Sequence, residues 1–271
     1  MSGASREALA SARESLDALA DNTSVDAAKL AEELASVTAL LDREVSLRRV
    51  LTDPAQPGEA KAELARRLLG GQVGGECTDL VAGMVRSRWS SSRDLVDAME
   101  ELAAGADLIA AERAGDLDDV EDELFRFGRI VASNPQLRAA LADKVADKAA
   151  KSGLLRELLG GRANPVTERL VVRLVTAPRG RSLDGGLNTL SKLAADRRDR
   201  MVAEVTSAVP LSDEQKQRLG EALGKLYGRR VHLNLDIDPE ILGGVQVRIG
   251  DEVINGTIAD RLAEAERRMA G

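Results

Sequence analysis

Asp238-Pro239-Glu240-Ile241-Leu242-Gly243-Gly244-Val245-Gln246-Val247-Arg248-Ile249-Gly250 is where the period of the chain changes, and that change decides the fold class. Upstream, alanine and leucine recur at helical spacing. Here Val245, Val247 and Ile249 alternate with Gln246 and Arg248, the period-two pattern of a half-buried strand. Gly250-Asp251 reads as a turn and Val253-Ile254 as the start of a return strand, so the segment predicts a hairpin. Asn255-Gly256-Thr257 can turn the chain again and cap a terminal helix over residues 258–269. The runs Val205-Thr206-Ser207-Ala208 and Val231 to Ile237 supply two neighbouring strands.

Everything before this region reads as helix, and it contains a duplication. At an offset of 90 residues, Leu47-Arg48 matches Leu137-Arg138, Ala60-Lys61 matches Ala150-Lys151, and Leu68-Leu69-Gly70-Gly71 matches Leu158-Leu159-Gly160-Gly161. The register holds upstream, where Leu30, Leu34, Val37, Leu40 and Leu41 match Val120, Leu124, Phe127, Ile130 and Val131. Two copies of so long a period point to duplicated domains rather than a solenoid. Each copy predicts about six helices. In the second copy the breaks fall at Gly115-Asp116, Ser133-Asn134-Pro135, Gly160-Gly161 and Pro178-Arg179-Gly180, with Pro135 and Pro165 opening helices. No breaker except Gly105 lies between Asp94 and Ala114, so the last helix of copy one and the first of copy two can be continuous.

Composition narrows the function. Aromatic residues make up 1% of the 271, so the core is aliphatic and base-stacking platforms for nucleic acid are missing. A net charge of -7 argues against polyanionic partners. Cys77 stands alone and permits no internal disulfide. No run approaches 18 apolar residues, and Met1-Ser2-Gly3-Ala4-Ser5-Arg6-Glu7 lacks the pattern of a secretory signal.

Catalytic patterns are weak. Gly220-Glu221-Ala222-Leu223-Gly224-Lys225-Leu226 has three residues between its glycines where a phosphate loop needs four, and Leu226 where a hydroxyl belongs. Its leucines fit an amphipathic helix. His232 is the single histidine, so with Cys77 it cannot make a structural zinc site. The sequence predicts no catalytic residue, no cofactor and no metal. What remains is surface for protein partners.

Val205-Thr206-Ser207-Ala208, Leu211-Ser212, Asp238, Gly243-Gly244, Val247, Gly250, Val253-Ile254, Gly256-Thr257 and Leu262 together resemble the C-terminal region of the delta subunit family of F-type ATP synthases, known in mitochondria as the oligomycin-sensitivity-conferring protein. That family usually carries Asp-Gly-Ser where this chain has Asn255-Gly256-Thr257. The resemblance covers about residues 98 to 271 and is specific in the last third.

The resemblance implies a mainly α chain with a small α+β C-terminal region. Residues 1–96 form an extra helical bundle, 97–200 the family's six-helix N-terminal domain, and 201–271 the stalk-binding region. It implies a non-catalytic stator subunit of a proton-translocating ATP synthase, clamping alpha subunits of the catalytic head to b-type stalk helices. Such a chain sits at the cytoplasmic face of the cell membrane, held there through its partners. In the family the helical domain grips the N-terminal helix of an alpha subunit between its first and fifth helices. Here those helices carry Met99, Leu102, Ala106 and Ile109, with Leu170, Val171 and Leu174. Chain order favours the second copy for this contact. Gly243, Gly244, Ile258, Leu262 and Met269 are the stalk-side candidates. The alternative is a helical adaptor of an unrelated complex.

Overall fold

The computed structural model describes residues 3–143, 145–199, 201–227, 231–238, 244–249 and 252–255. They divide into two compact units, one ending at Ala195 and the other starting at Asp196. The first is helical. It holds α1 (Gly3–Asp21), α2 (Ala27–Arg43), α3 (Val45–Leu51), α4 (Gly58–Leu69), α5 (Gly75–Arg86) and α6 (Ser92–Ala114). These are followed by α7 (Leu117–Ser133), α8 (Pro135–Ala142), α9 (Lys148–Leu159), α10 (Pro165–Thr176) and α11 (Leu183–Arg198).

The duplication is structural as well as sequential. The bounds of α2, α4 and α5 reappear 90 residues later as those of α7, α9 and α10. The stop signals repeat with them. Gly70 and Gly160 end α4 and α9, and Gly71 and Gly161 follow with φ of 75° and 68°, the left-handed step that closes a helix C-terminus. Pro135 and Pro165 occupy first-turn positions, where a missing N–H costs nothing. Asp26 caps α2, accepting the Lys29 N–H at 3.0 Å.

Two bundles of six would need twelve helices, yet eleven precede the sheet among the described residues. The helix between them is shared: α6 crosses residue 96 without a break and ends the first bundle while opening the second. It serves both because two of its faces are apolar. Leu95, Met99, Leu102, Ala106 and Ile109 enter the first core, whereas Ala104, Leu108 and Ala111 enter the second. Residues 102 and 104 lie about 200° apart around a helix, so the two sets face opposite ways. Packing in the second bundle follows the expected stripe on α7 at Leu117, Val120, Leu124, Phe127 and Val131, but Ile130 departs from it and is 53% exposed.

The second unit holds β1 (Met201–Ser207), α12 (Asp213–Tyr227), β2 (Val231–Ile237), β3 (Val245–Ile249) and β4 (Glu252–Asn255). The strand order is β2-β1-β3-β4. β3 and β4 form the expected antiparallel hairpin, with Val247 opposite Ile254. β1 pairs with β2 in parallel, Met201 opposite Val231, and α12 makes the crossover that a parallel pair requires. Ser212 and Gln215 form a reciprocal cap at the start of α12: the Gln215 side-chain oxygen accepts the Ser212 N–H at 2.8 Å, and Ser212 Oγ accepts the Gln215 N–H at 3.3 Å. The glycine-containing stretch 220–226 lies within α12 and is no phosphate loop, with Leu223 packed into the small core beside Ala203, Val205, Val247 and Ile249. Gly244 leads into β3 with φ of 89°, a conformation that favours glycine. Gly243, Ile258, Leu262 and Met269, and with them the expected terminal helix, lie outside the described residues.

Candidate partner-docking site

No group of three or more metal-ligating side chains gathers among the described residues. Cys77 is fully buried in α5. Burial, reinforced by the Glu33 charge, pushes its thiol up to about 12, so it stays protonated and unreactive. Two clefts between helices of the first unit differ in their lining.

The seven residues expected to meet an alpha subunit are all inside. Met99, Leu102, Ala106 and Ile109 belong to the first core and are 0–2% exposed. Leu170, Val171 and Leu174 belong to the second core and are 0–5% exposed. The helices α6 and α10 do pack together, but these two sets turn into different interiors. Leu170 and Leu174 also reach the wall of a cleft of about 420 Å³, bounded by α6 and α10 and by Ala35, Thr38 and Ala39 of α2. The first bundle thus supplies one wall of the second bundle's groove.

Charged side chains bridge the same two helices. Asp107 of α6 is fully buried and paired with Arg169 and Arg173 of α10. Arg169 donates from Nε and Nη2 at 3.0 and 2.9 Å. Burial pushes the Asp107 carboxyl above its ordinary range, while Arg173 and Arg169 pull it back.

The matching groove of the first bundle is open. It lies between α1 and α5 and encloses about 750 Å³. Ala8, Ala12, Leu80 and Met84 are its buried floor, and Ser11, Ser15, Gly75 and Gly83 its exposed slopes. Ninety residues on, Ser11 becomes Glu101, Asp79 becomes Arg169 and Gly83 becomes Arg173. Gly83 thus stands in the first bundle where the second carries Arg173, while Asp17 and Asp79 stand where it carries Asp107 and Arg169. Glu76 and Asp79 make one lip acidic. The sequence reading missed this groove because small residues leave no periodic apolar signal.

The family model described as ATP synthase delta (OSCP) subunit matches residues 104–269. The chain belongs to the ATP synthase delta (OSCP) subunit family. The ATP synthase subunit delta of Streptomyces griseus is 77% identical over 100% of both chains. That of Acidothermus cellulolyticus is 50% identical, again over 100% of both. A chain of the Toxoplasma gondii mitochondrial ATP synthase hexamer pairs with 62% of this chain and 95% of its own length, at 21% identity and a TM-score of 0.28, too slight a likeness to carry argument. The family model begins inside α6 and omits the first bundle, whereas the two bacterial delta subunits match across it. Membership removes the unrelated-adaptor alternative. Among the described residues of this delta-family chain, no helix is long and apolar enough to cross a membrane.

Proposed function

We propose that this chain is the stator subunit that clamps alpha subunits of the catalytic head to the b-type stalk helices, at the cytoplasmic face of the cell membrane and attached there through those partners. Its work is mechanical. Aliphatic helix-on-helix interfaces resist torque without a cofactor, and the chain carries two fused bundles that can present such interfaces. The first bundle makes the head contact, by taking a helix of an alpha subunit between α1 and α5.

The observation that supports this placement is the difference between the grooves. A docking helix needs an apolar trough with slopes low enough for its backbone to approach. Ser11, Ser15 and Gly83 leave that room, and where α5 has Gly83 the second bundle has Arg173 on α10, bound to Asp107. The sheet of the second unit takes the b-type stalk ends, with Gly244 setting the entry to β3.

The test is a binding titration of the full-length chain against purified catalytic head and, separately, the soluble part of a b-type subunit. Ser11→Arg with Ser15→Arg should weaken head binding at least tenfold and leave b-type binding unchanged. Head binding at wild-type strength in a folded double variant would remove the first-bundle groove from the proposal.

A further inference from the structure

We propose that Arg179 is a pin that locks the two helical bundles into one rigid arm. Among the described residues it is the one non-glycine residue with a positive φ, 48°, in the turn between α10 and α11. An arginine held in the left-handed region signals that its surroundings over-determine the position.

Those surroundings belong to both bundles. The guanidinium is only 7% exposed; its Nε lies 3.2 Å from Asp42 of α2, and its Nη1 lies 2.9 Å from Glu100 of α6. Arg181, two residues on, also pairs with Glu100. Arg93 at the start of α6 donates from Nη2 to the Arg179 carbonyl at 3.1 Å. One turn of the second bundle is thus tied, through side chain and backbone, to a helix of the first bundle and to the shared helix.

The duplication shows that this is an added device. Ninety residues earlier the equivalent position is Trp89, which is 5% exposed and donates its indole N–H to Met84 O at 2.7 Å. There the turn plugs its own bundle with an apolar ring. In the second bundle the same turn carries a cation and reaches its neighbour.

A joint is needed because the covalent connection is one helix. Over residues 104–109 α6 turns one face to the first core and the opposite face to the second, so side-chain packing on this one helix is what sets the angle between the bundles. Asp42 and Arg179 lie off the α6 path and convert a single rod into a triangulated joint. Without them the second bundle rolls about the α6 axis.

The experiment uses the full chain with spin labels at Lys29→Cys in α2 and Glu157→Cys in α9, both exposed, and reads the distribution of inter-label distances. Cys77 is buried and stays unlabelled. The parent should give one narrow distribution. Arg179→Gly relieves the backbone while removing the cation, so it should stay folded and widen the distribution at least twofold. Asp42→Asn with Glu100→Gln leaves the Arg179 backbone intact and should widen it likewise, which separates loss of the pin from a local turn effect. Arg179→Lys should fall between. Folded Arg179→Gly and Asp42→Asn/Glu100→Gln chains, each with the parent's width, would overturn the proposal. Should Arg179→Gly fail to fold, the Asp42→Asn/Glu100→Gln result decides alone.

Discussion

Asp107 and Arg169 meet in a forked pair: the Arg169 Nε and Nη2 both donate to Asp107 Oδ1, at 3.0 and 2.9 Å. The carboxylate side chain is 0% exposed and Arg169 is 31% exposed, so the two partners are not equivalent. Without Asp107, Arg169 and Arg173 can swing toward water. Without both arginines, a buried charge is stranded. Asp107→Ala should therefore cost about 1–2 kcal/mol, and Arg169→Ala with Arg173→Ala about 3–5 kcal/mol. Urea unfolding of the two variants checks the order.

The same carboxyl makes a pH prediction. Its folded pKa is raised, chiefly by burial, against the pull of Arg173 and Arg169. A raised folded value favours the protonated group in the folded state. That contribution is complete below the ordinary carboxylate range and is lost as pH rises through the folded value. Asp107→Asn does not titrate. Relative to wild type it should gain stability between about pH 4 and pH 7. Urea midpoints at both pH values test this, and a gap that moves the other way contradicts the sign.

The shared helix governs what truncation does. Deleting residues 1–90 removes α1–α5 and bares Leu95, Met99, Leu102 and Ala106, each 0–1% exposed. Burial of Leu95, Met99 and Leu102 is worth about 1.5–3 kcal/mol each. The shortened chain should lose helix in α6 or self-associate, although every helix of the second bundle is nominally present. Circular dichroism and gel filtration decide. A monomer that keeps α6 helical would show that the second bundle stands without the first.

Much of this was legible in the sequence. Gly70-Gly71 and Gly160-Gly161, Pro135 and Pro165 act locally, so their effects can be read without knowing what the helices touch. The alternation at Val245, Val247 and Ile249 gave the hairpin for the same reason. The partner of each apolar face was not legible. Met99 and Leu102 read as one stripe on a first helix, but that spacing is equally a groove or a core, and α2 covers them from a bundle thought to lie before them. Strand direction was hidden too. Val231 to Ile237 has no mark of running parallel to β1, and only the length of α12 between them allows the crossover. The open groove escaped notice because Ser11, Ser15 and Gly83 define it by what they lack.

The repeated left-handed glycines should behave as a matched pair. Gly71 and Gly161 have φ of 75° and 68°, and a Cβ added to either meets nothing within 4 Å. Only backbone conformation resists a side chain there. Alanine at each should cost about 1–2 kcal/mol, and the two costs should agree to within about 0.5 kcal/mol and add. Thermal unfolding of the single and double variants measures both. Strongly unequal costs would mean that the two helix stops, though repeated in sequence, carry different loads.

Cys77 supplies the last test. It is fully buried in α5 and its thiol is pushed up from 9.0 to about 12, first by burial and then by the Glu33 charge. A thiol in that state is not the reactive thiolate, so native protein at pH 8 should resist an alkylating reagent that modifies the urea-unfolded chain within minutes. The same shift has a stability consequence. Because the folded value is raised, this group's contribution is complete below about pH 9 and declines as pH climbs toward about 12. Cys77→Ala removes that decline while leaving a cavity, so it should start less stable than wild type at pH 7 and close part of the gap at pH 10. Rapid native alkylation at pH 8 would show that α5 opens far more readily than its packing against α1, α2 and α6 allows.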